Sequence, residues 1–555
     1  MNITINKNAV PIRDGAAILD YIRELGLDSA AISERPLAAM LGGEIFNLCY
    51  IPKRESELQL LYYSSEEGRR VYERTLQFVF IMAVRRSFPD ARVLVQYSMG
   101  QGVYITIKKE PTLNDADIAL LHDEMRRIVS AGYRLYRSRR SIEEAISRFT
   151  MDGQLDKVRL LKWREFSYFD LYSCPEYSDY TDYFYGEMAP DTSYVRIFAL
   201  HRIDDSVVIL LPDRDNPERA AAYEDSPKLL AVFRESERWG RFMGCATASE
   251  LNTRVENGSI RELVRVNEAL HEKNFSKIAD DIICRRAKAI MLAGPSSSGK
   301  TTSANRIATQ LRASGLDPIM LSLDDYYIDR DKLERDENGK LDLEHINTLD
   351  IARFNHDLEL LIAGEEAELP RFNFLTGRRE DGHRTLRLHS DQPLIIEGIH
   401  GLNPLMLGDI DPGKIYRIYV SALTTLNLDD HNRIRTTDLR LLRRLVRDYE
   451  TRGASMEHTL DMWESVRRGE TRWIFPYQEN ADCIINTTLL YEVSVMKKYV
   501  HPLLKAVPPE SHCYSQARSI VKFLNYFVSA DIEDEIPPTS IIREFIGGNT
   551  FYKDR

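Results

Sequence analysis

Several protein classes are excluded by what this 555-residue chain lacks. Its six cysteines, at positions 49, 174, 245, 284, 483 and 513, lie far apart with no C-x-x-C pair, so neither a disulfide framework nor a thiolate zinc site is indicated. No apolar run reaches transmembrane length, and the start MNITINKNAV has neither the basic cluster nor the long apolar core of a signal peptide. A cytoplasmic protein with no membrane partner is the expectation. Positive charge is also in short supply: the formal net charge of -11 argues against a general nucleic-acid coat. Internal repeats and low-complexity linkers are absent, and the length implies about three to five domains.

What is present is concentrated at one place. Gly294-Pro295-Ser296-Ser297-Ser298-Gly299-Lys300-Thr301 fits the phosphate-loop pattern G-x-x-x-x-G-K-[ST]. The apolar run 287–293 ahead of it reads as a buried strand, and Thr302 to Arg312 behind it reads as a helix stopped near Gly315. Strand, loop and helix are what the chemistry requires. Glycines let backbone N–H groups close on phosphate oxygens, the helix N-terminus adds its dipole, Lys300 reaches the β and γ phosphates of ATP, and the Thr301 hydroxyl ligates Mg²⁺. The nine positions Gly294 to Thr302 are thus the expected ATP-binding residues.

Four further apolar runs, 318–323, 393–396, 414–420 and 481–485, read as buried strands, which predicts a five-stranded parallel sheet covered by helices. Ligands of such sheets sit beyond the carboxyl ends of the strands. There the sequence places the loop after Ala293, Asp324-Asp325 after Leu323, and Glu397-Gly398 after Ile396. An acid after a strand is often only the cap of the next helix. Three such ends converging on a phosphate loop favour phosphoryl transfer, for which a carboxylate must take the proton of the accepting hydroxyl. Asp324 is the candidate base, and Glu397 the candidate metal residue with Thr301. Cations come from 440–452, where Arg440, Arg443, Arg444 and Arg447 share one helical face; a solvated basic face is the alternative.

These residues resemble the uridine kinase and phosphoribulokinase family over roughly 286 to 507. Leu321-Ser322-Leu323-Asp324-Asp325-Tyr326-Tyr327 matches the family's L-S-x-D-S-F-Y, and Leu394 to Ile399 matches its second acidic strand. Asp438 to Gly453 matches its arginine-rich lid, and Phe475-Pro476 before 481–485 its closing pattern. The resemblance implies Asp324 as catalytic base, Lys300, Arg447 and Arg452 on the phosphates, and Tyr327, Glu344, Phe372 and Arg444 toward the acceptor. A small-molecule acceptor of nucleoside type is implied, with a sugar phosphate or another polyol as alternative. The acceptor side departs from the pattern. Phe372 to Gly377 stands where uridine-specific members carry Tyr-Asp-Phe-x-x-His, Glu344 replaces an aspartate, and Ala454 and Met462 replace an arginine and a glutamine. Fewer polar readers of a pyrimidine imply altered or relaxed base specificity.

The first half carries a second resemblance. Residues 1–61, β-rich at the start with a helix around Ala16 to Leu25, look like the β-grasp TGS module of threonyl-tRNA synthetases, and 62–245 is similar to their α+β editing domain. That domain uses H-x-x-x-H and C-x-x-x-H. Here Arg74 and Phe78 stand at the first pair and Tyr172 and Glu176 at the second, with no histidine before His122, so the editing site is absent. A helical connector is expected over 246–286, the kinase-like domain over 287–507 and a helical tail over 508–555, with helices at Arg261 to Ile283 and Ala517 to Val528. The whole arrangement resembles bacterial nucleoside kinases with synthetase-like amino-terminal domains. An arginine run at 126–140 and a tyrosine run at 168–185 could bind RNA by phosphate contacts and stacking. Exposed helix arginines and core tyrosines account for both more simply. A tRNA- or ribosome-associated regulator that uses ATP as a switch is the rival to the enzyme.

Overall fold

The computed structural model describes residues 2–164, 166–333, 342–374, 376–408 and 410–551. At the amino terminus, strands Asn2–Ile5, Asn8–Pro11, Ala38–Leu41, Glu44–Phe46 and Ser56–Leu61 form one five-stranded sheet. The first and last of these pair in parallel and the others antiparallel, which is the β-grasp arrangement. Alternation sets the buried face: Ile3 and Ile5 are inside and Asn2 outside. Helix Ile18–Glu24, a little shorter than its pattern implied, buries Ile18, Leu19, Tyr21 and Ile22 against that face.

Helix Glu66–Ser87 opens the next region. Ser65 caps it by accepting from the N–H of Gly68, and almost every residue from Val71 to Val84 is buried. A helix apolar on all sides belongs inside a core. It shares that core with the antiparallel sheet built from Arg92–Met99, Gly102–Lys108, Ser206–Leu210 and Ala199–Ile203. A separate three-stranded sheet, Tyr136–Ser141, Tyr168–Cys174 and Ser178–Asp182, carries the tyrosine run. Tyr172, Tyr177, Tyr180 and Tyr183 are buried, and Arg137 and Arg139 are paired with Asp170, so the two runs are largely spent on the fold.

Helices Pro227–Phe242, Ala248–Glu256 and Ile260–Arg285 lead to the carboxy-terminal half. Its sheet has the order Ile319–Ser322, Leu394–Glu397, Ala289–Ala293, Ile415–Ser421, Cys483–Asn486, all parallel. The central strand is wholly buried, as its unbroken apolar sequence requires. Register sets Glu397 level with both Leu292 and Ser322, which brings the three polar strand ends together. The hairpin Glu366–Asn373 and Arg378–Arg387 was not anticipated, and the tail helix is Tyr514–Leu524, ending before Val528. Among the described residues no helix is long and apolar enough to cross a membrane.

The halves are fastened by the segment 422–435, between strand Ile415–Ser421 and helix Thr436–Arg452. Arg92 grips Asp430 at 2.6 and 2.8 Å, and the N–H of Val95 donates to the Asp430 carbonyl. Glu73 accepts from Arg433 and Arg435. At the centre, Lys157, 1% exposed, lies 3.2 Å from Asp182 and 3.4 Å from Asp429, with the His431 ring 2.7 Å from Asp182. The nearby carboxylates hold the Lys157 ammonium charged against the cost of burial, its pKa raised. Lys157→Met should therefore cost about 3–5 kcal/mol, because it leaves buried carboxylates without their counter-charge. Denaturant unfolding checks this, and a loss under about 1 kcal/mol would contradict it.

Candidate active site

The phosphate loop is shaped by close packing. A Cβ on Gly294 would lie 2.0 Å from the Val420 carbonyl oxygen, so the chain can pass under the neighbouring strand only as glycine. The loop then turns through left-handed Ser297 and Gly299 into helix Lys300–Ala313. The Ser297 and Ser298 hydroxyls are buried without a hydrogen-bond partner. Lys300 Nζ donates to the Pro295 carbonyl at 3.2 Å, and the Thr301 hydroxyl donates to Glu397 at 3.4 Å. Two orphaned hydroxyls, an ammonium and a helix N-terminus make a cradle for anionic oxygens.

Acids crowd its other side. Asp324 lies in the tight turn Leu323–Tyr326, its N–H donated to Ser322 Oγ. Burial raises the Glu397 carboxyl to about 7, the Asp324 charge adds to this, and Lys300 and the Thr301 hydrogen bond oppose it. Glu344 is likewise raised to about 7 by burial and by Glu470 and Asp324, against Arg444 and Lys300. His400, fully buried, is pushed down to about 4 by burial and Lys300 and is neutral at ordinary pH. Tyr327 stands beside Asp324, and its ring meets Phe372 at 5.6 Å and Phe374 at 6.3 Å, all edge-on. A hydroxyl compound with one apolar face would meet acids on one side and aromatic rings on the other.

The arginine face of helix Thr436–Arg452 divides into two pairs. Arg440 and Arg443 are fully buried, so the face is not solvated. Arg440 is held by Glu470 at 2.7 Å and donates to the Ser296 carbonyl at 3.0 Å; Arg443 is held by Glu492 at 2.7 Å and by Thr487 at 2.8 Å. They brace the loop backbone and present no free charge to a phosphate. Arg444 donates to Ser296 Oγ at 3.0 Å and pairs with Asp448. Arg447 and Arg452, expected on the phosphates, both turn onto Asp448, at 2.8 and 3.6 Å.

Sequence reasoning missed Glu470, His400 and Glu544. Glu470 accepts from the Ser296 N–H at 3.1 Å, and Glu544 from the Thr302 hydroxyl at 2.6 Å. Glu470 and Glu544 are joined to the loop only by the fold, across more than 150 residues of chain, with no local motif to mark them. Gly377, where a base-reading imidazole was expected, has a left-handed φ of +68°, and a Cβ there would meet Arg330 at 2.7 Å, so the hairpin turn dictates it.

In the amino-terminal half, the residues expected at the synthetase ligand positions are engaged in packing and hydrogen bonds. Phe78 stacks on Tyr180 at 5.7 Å, while Arg74 and Tyr172 both bond Glu187, through its carbonyl and its carboxylate. Glu176 reaches the Arg134 N–H and the Tyr136 hydroxyl, each at 3.4 Å. Among the described residues, the grouping of His, Cys and acid side chains at ligand spacing is Asp461, His512 and Cys513, in the other half.

Comparison with known proteins agrees with both halves. The family model described as phosphoribulokinase / uridine kinase matches residues 289–494. A uridine kinase of Macrococcus caseolyticus is 31% identical over 197 residues, 35% of this chain and 86% of that protein. One of Staphylococcus aureus (strain JH9) is 32% identical over the same shares. This chain belongs to the phosphoribulokinase / uridine kinase family. A threonine–tRNA ligase of Desulforamulus reducens is 26% identical over 189 residues, 34% of this chain and only 29% of that protein, which fits the synthetase-like amino-terminal half. The family match spans the loop, Asp324, Glu344, Glu397 and Glu470, and leaves Glu544 outside it.

The raised acids give a pH signature. A folded-state pKa above the ordinary value means that Glu397 favours folding in its protonated form. That contribution is complete below the ordinary carboxylate pKa and is lost as pH rises through about 7. Glu397→Gln should therefore raise the thermal midpoint of the metal-free protein at about pH 8 and change it little at about pH 5. Thermal scans at the two pH values check this; equal lowering at both would contradict it.

Proposed function

We propose that the chain is an ATP-dependent kinase that phosphorylates a hydroxyl of an unphosphorylated, nucleoside-like small molecule. The observation that carries this reading is the meeting of Asp324, Glu344 and Glu397 around the phosphate loop and Lys300. Lys300 follows the transferring phosphoryl group as a point charge, and the buried Ser297 and Ser298 hydroxyls donate to phosphate oxygens. Thr301 and Glu397 fit a Mg²⁺ ion, since burial and Asp324 make the Glu397 charge costly and a cation beside the carboxylate would offset that cost. When bound, that ion neutralises charge on the phosphoryl oxygens. Asp324 takes the proton from the accepting hydroxyl and Glu344 orients the acceptor. Arg447 and Arg452, about one and two turns beyond Arg444, would leave Asp448 for the phosphates on closure.

The acceptor class follows from charge. Acids outnumber available cations around Glu344, and Arg444 is already engaged with Asp448 and Ser296. A sugar phosphate would place a second anion against them, which disfavours the sugar-phosphate alternative. The Tyr327, Phe372 and Phe374 rings suit the flat face of a nucleoside or another apolar surface. With Phe372, Gly377, Ala454 and Met462 in place of polar readers, discrimination for uridine or cytidine should stay below the roughly 10⁴-fold that a hydrogen-bonding site reaches. Steady-state kcat/KM across a nucleoside and polyol panel checks it. A cytoplasmic location is part of this reading.

Asp324→Asn should leave ATP binding intact and lower kcat by about 10² to 10⁴. Unchanged kcat with weakened nucleotide binding would make Asp324 a metal or structural residue instead. Lys300→Ala should abolish turnover, and wild-type activity in that variant would sink the assignment.

A further inference from the structure

The segment after Pro537-Pro538 lies beyond the family match, yet it reaches the phosphate loop. Glu544 Oε2 accepts from the Thr302 hydroxyl at 2.6 Å and from the Thr302 N–H at 3.4 Å. Ile541 covers the loop itself, since a Cβ on Gly299 would lie 2.8 Å from Ile541 Cγ2. Thr302 is the third residue of helix Lys300–Ala313, whose first-turn N–H groups have no intrahelical partner and carry the positive end of the dipole. A carboxylate therefore occupies donors that a phosphate group would use. Two loop hydroxyls beside it, Ser297 and Ser298, are buried with no partner.

The backbone that delivers this carboxylate is fixed. Ile541, Ile542 and Phe545 are fully buried. The Phe545 ring lies 5.2 Å from the Arg443 guanidinium, and Ser540 Oγ donates to Glu268 at 2.5 Å. Glu544 itself is half-buried, so its side chain can turn away while the tail stays docked.

We propose that Glu544 holds the seat that a nucleotide phosphate takes at Thr302, so that ATP binds in competition with a carboxylate of the chain's own tail. Nucleotide affinity is then set partly by a residue outside the kinase fold proper. This rests on the reading of the loop as the nucleotide site. A carboxylate that only caps the helix behaves differently: its removal lowers stability and leaves affinity unchanged.

Calorimetric titration of full-length wild type, Glu544→Gln and Lys300→Ala with ATP, and separately with tripolyphosphate, distinguishes these cases. Glutamine keeps the shape and an acceptor for Thr302 but removes the charge. Both ligands should bind Glu544→Gln about tenfold tighter than wild type, and Lys300→Ala should lose both. Binding that depends on Lys300 but is equal or weaker in Glu544→Gln overturns the competition and leaves the nucleotide site standing. Wild type and Glu544→Gln both failing to bind either ligand overturns the site and the competition together. Thermal unfolding of each variant confirms that a folded protein was titrated.

Discussion

Two buried ion pairs, Arg440 with Glu470 and Arg443 with Glu492, hold the phosphate loop in shape. Each guanidinium is out of water, which costs several kcal/mol before its partner offsets it. Well-packed apolar residues often replace such buried pairs without loss of stability. What they could not do is reach the Ser296 and Ser297 carbonyls from the neighbouring helix, as Arg440 does at 3.0 Å and Arg443 at 3.5 Å. With those carbonyls tied back, the buried Ser297 and Ser298 hydroxyls are left without a partner inside the loop. Glu470 also takes the Ser296 N–H, so one carboxylate serves both arginine and loop.

This bracing leaves the unneutralised charges of the site to other residues. Lys300 is left facing Asp324, Glu344 and Glu397, and the last two have pKa values pushed up to about 7 by burial, with Glu470 and Asp324 adding to it at Glu344 and Asp324 at Glu397. The site is pre-organised for cations and hydroxyls, and its strain is electrostatic. Helix Thr436–Arg452 connects it to the rest of the chain: Asp438, in its first turn, pairs with Arg70, and the preceding segment is locked to Glu73, Arg92 and Lys157. The synthetase-like half thus holds the base of the arginine helix. Within that half, Phe78, Arg74 and Tyr172 are spent on ring packing and on hydrogen bonds to Glu187, so they contribute packing and attachment there.

Much of this was legible in the sequence where the signal is local. Mostly apolar runs marked all five parallel strands, and loop, Asp324 and Glu397 followed as polar strand ends that topology must bring together. The hairpin 366–387 was missed because one strand, Arg378–Arg387, is almost entirely exposed and carries charge rather than alternation. Helical spacing identified the arginine face but could not reveal Glu470 and Glu492, which neutralise its inner pair from elsewhere in the chain. Tyrosines at 172–183 read more simply as core than as stacking residues, and their burial agrees. Glu544 and His400 carry no motif at all; only the docking of the tail and the turn after Glu397 gives them a place.

The central claim is that the loop and its acids transfer a phosphoryl group to a hydroxyl compound. Incubating the full-length protein with γ-labelled ATP, Mg²⁺ and unphosphorylated nucleosides and polyols follows the label directly. The account predicts label on an acceptor hydroxyl, with one ADP formed for each phosphoryl transferred. Label released only to water, or transferred only to acceptors that already bear a phosphate, would contradict it.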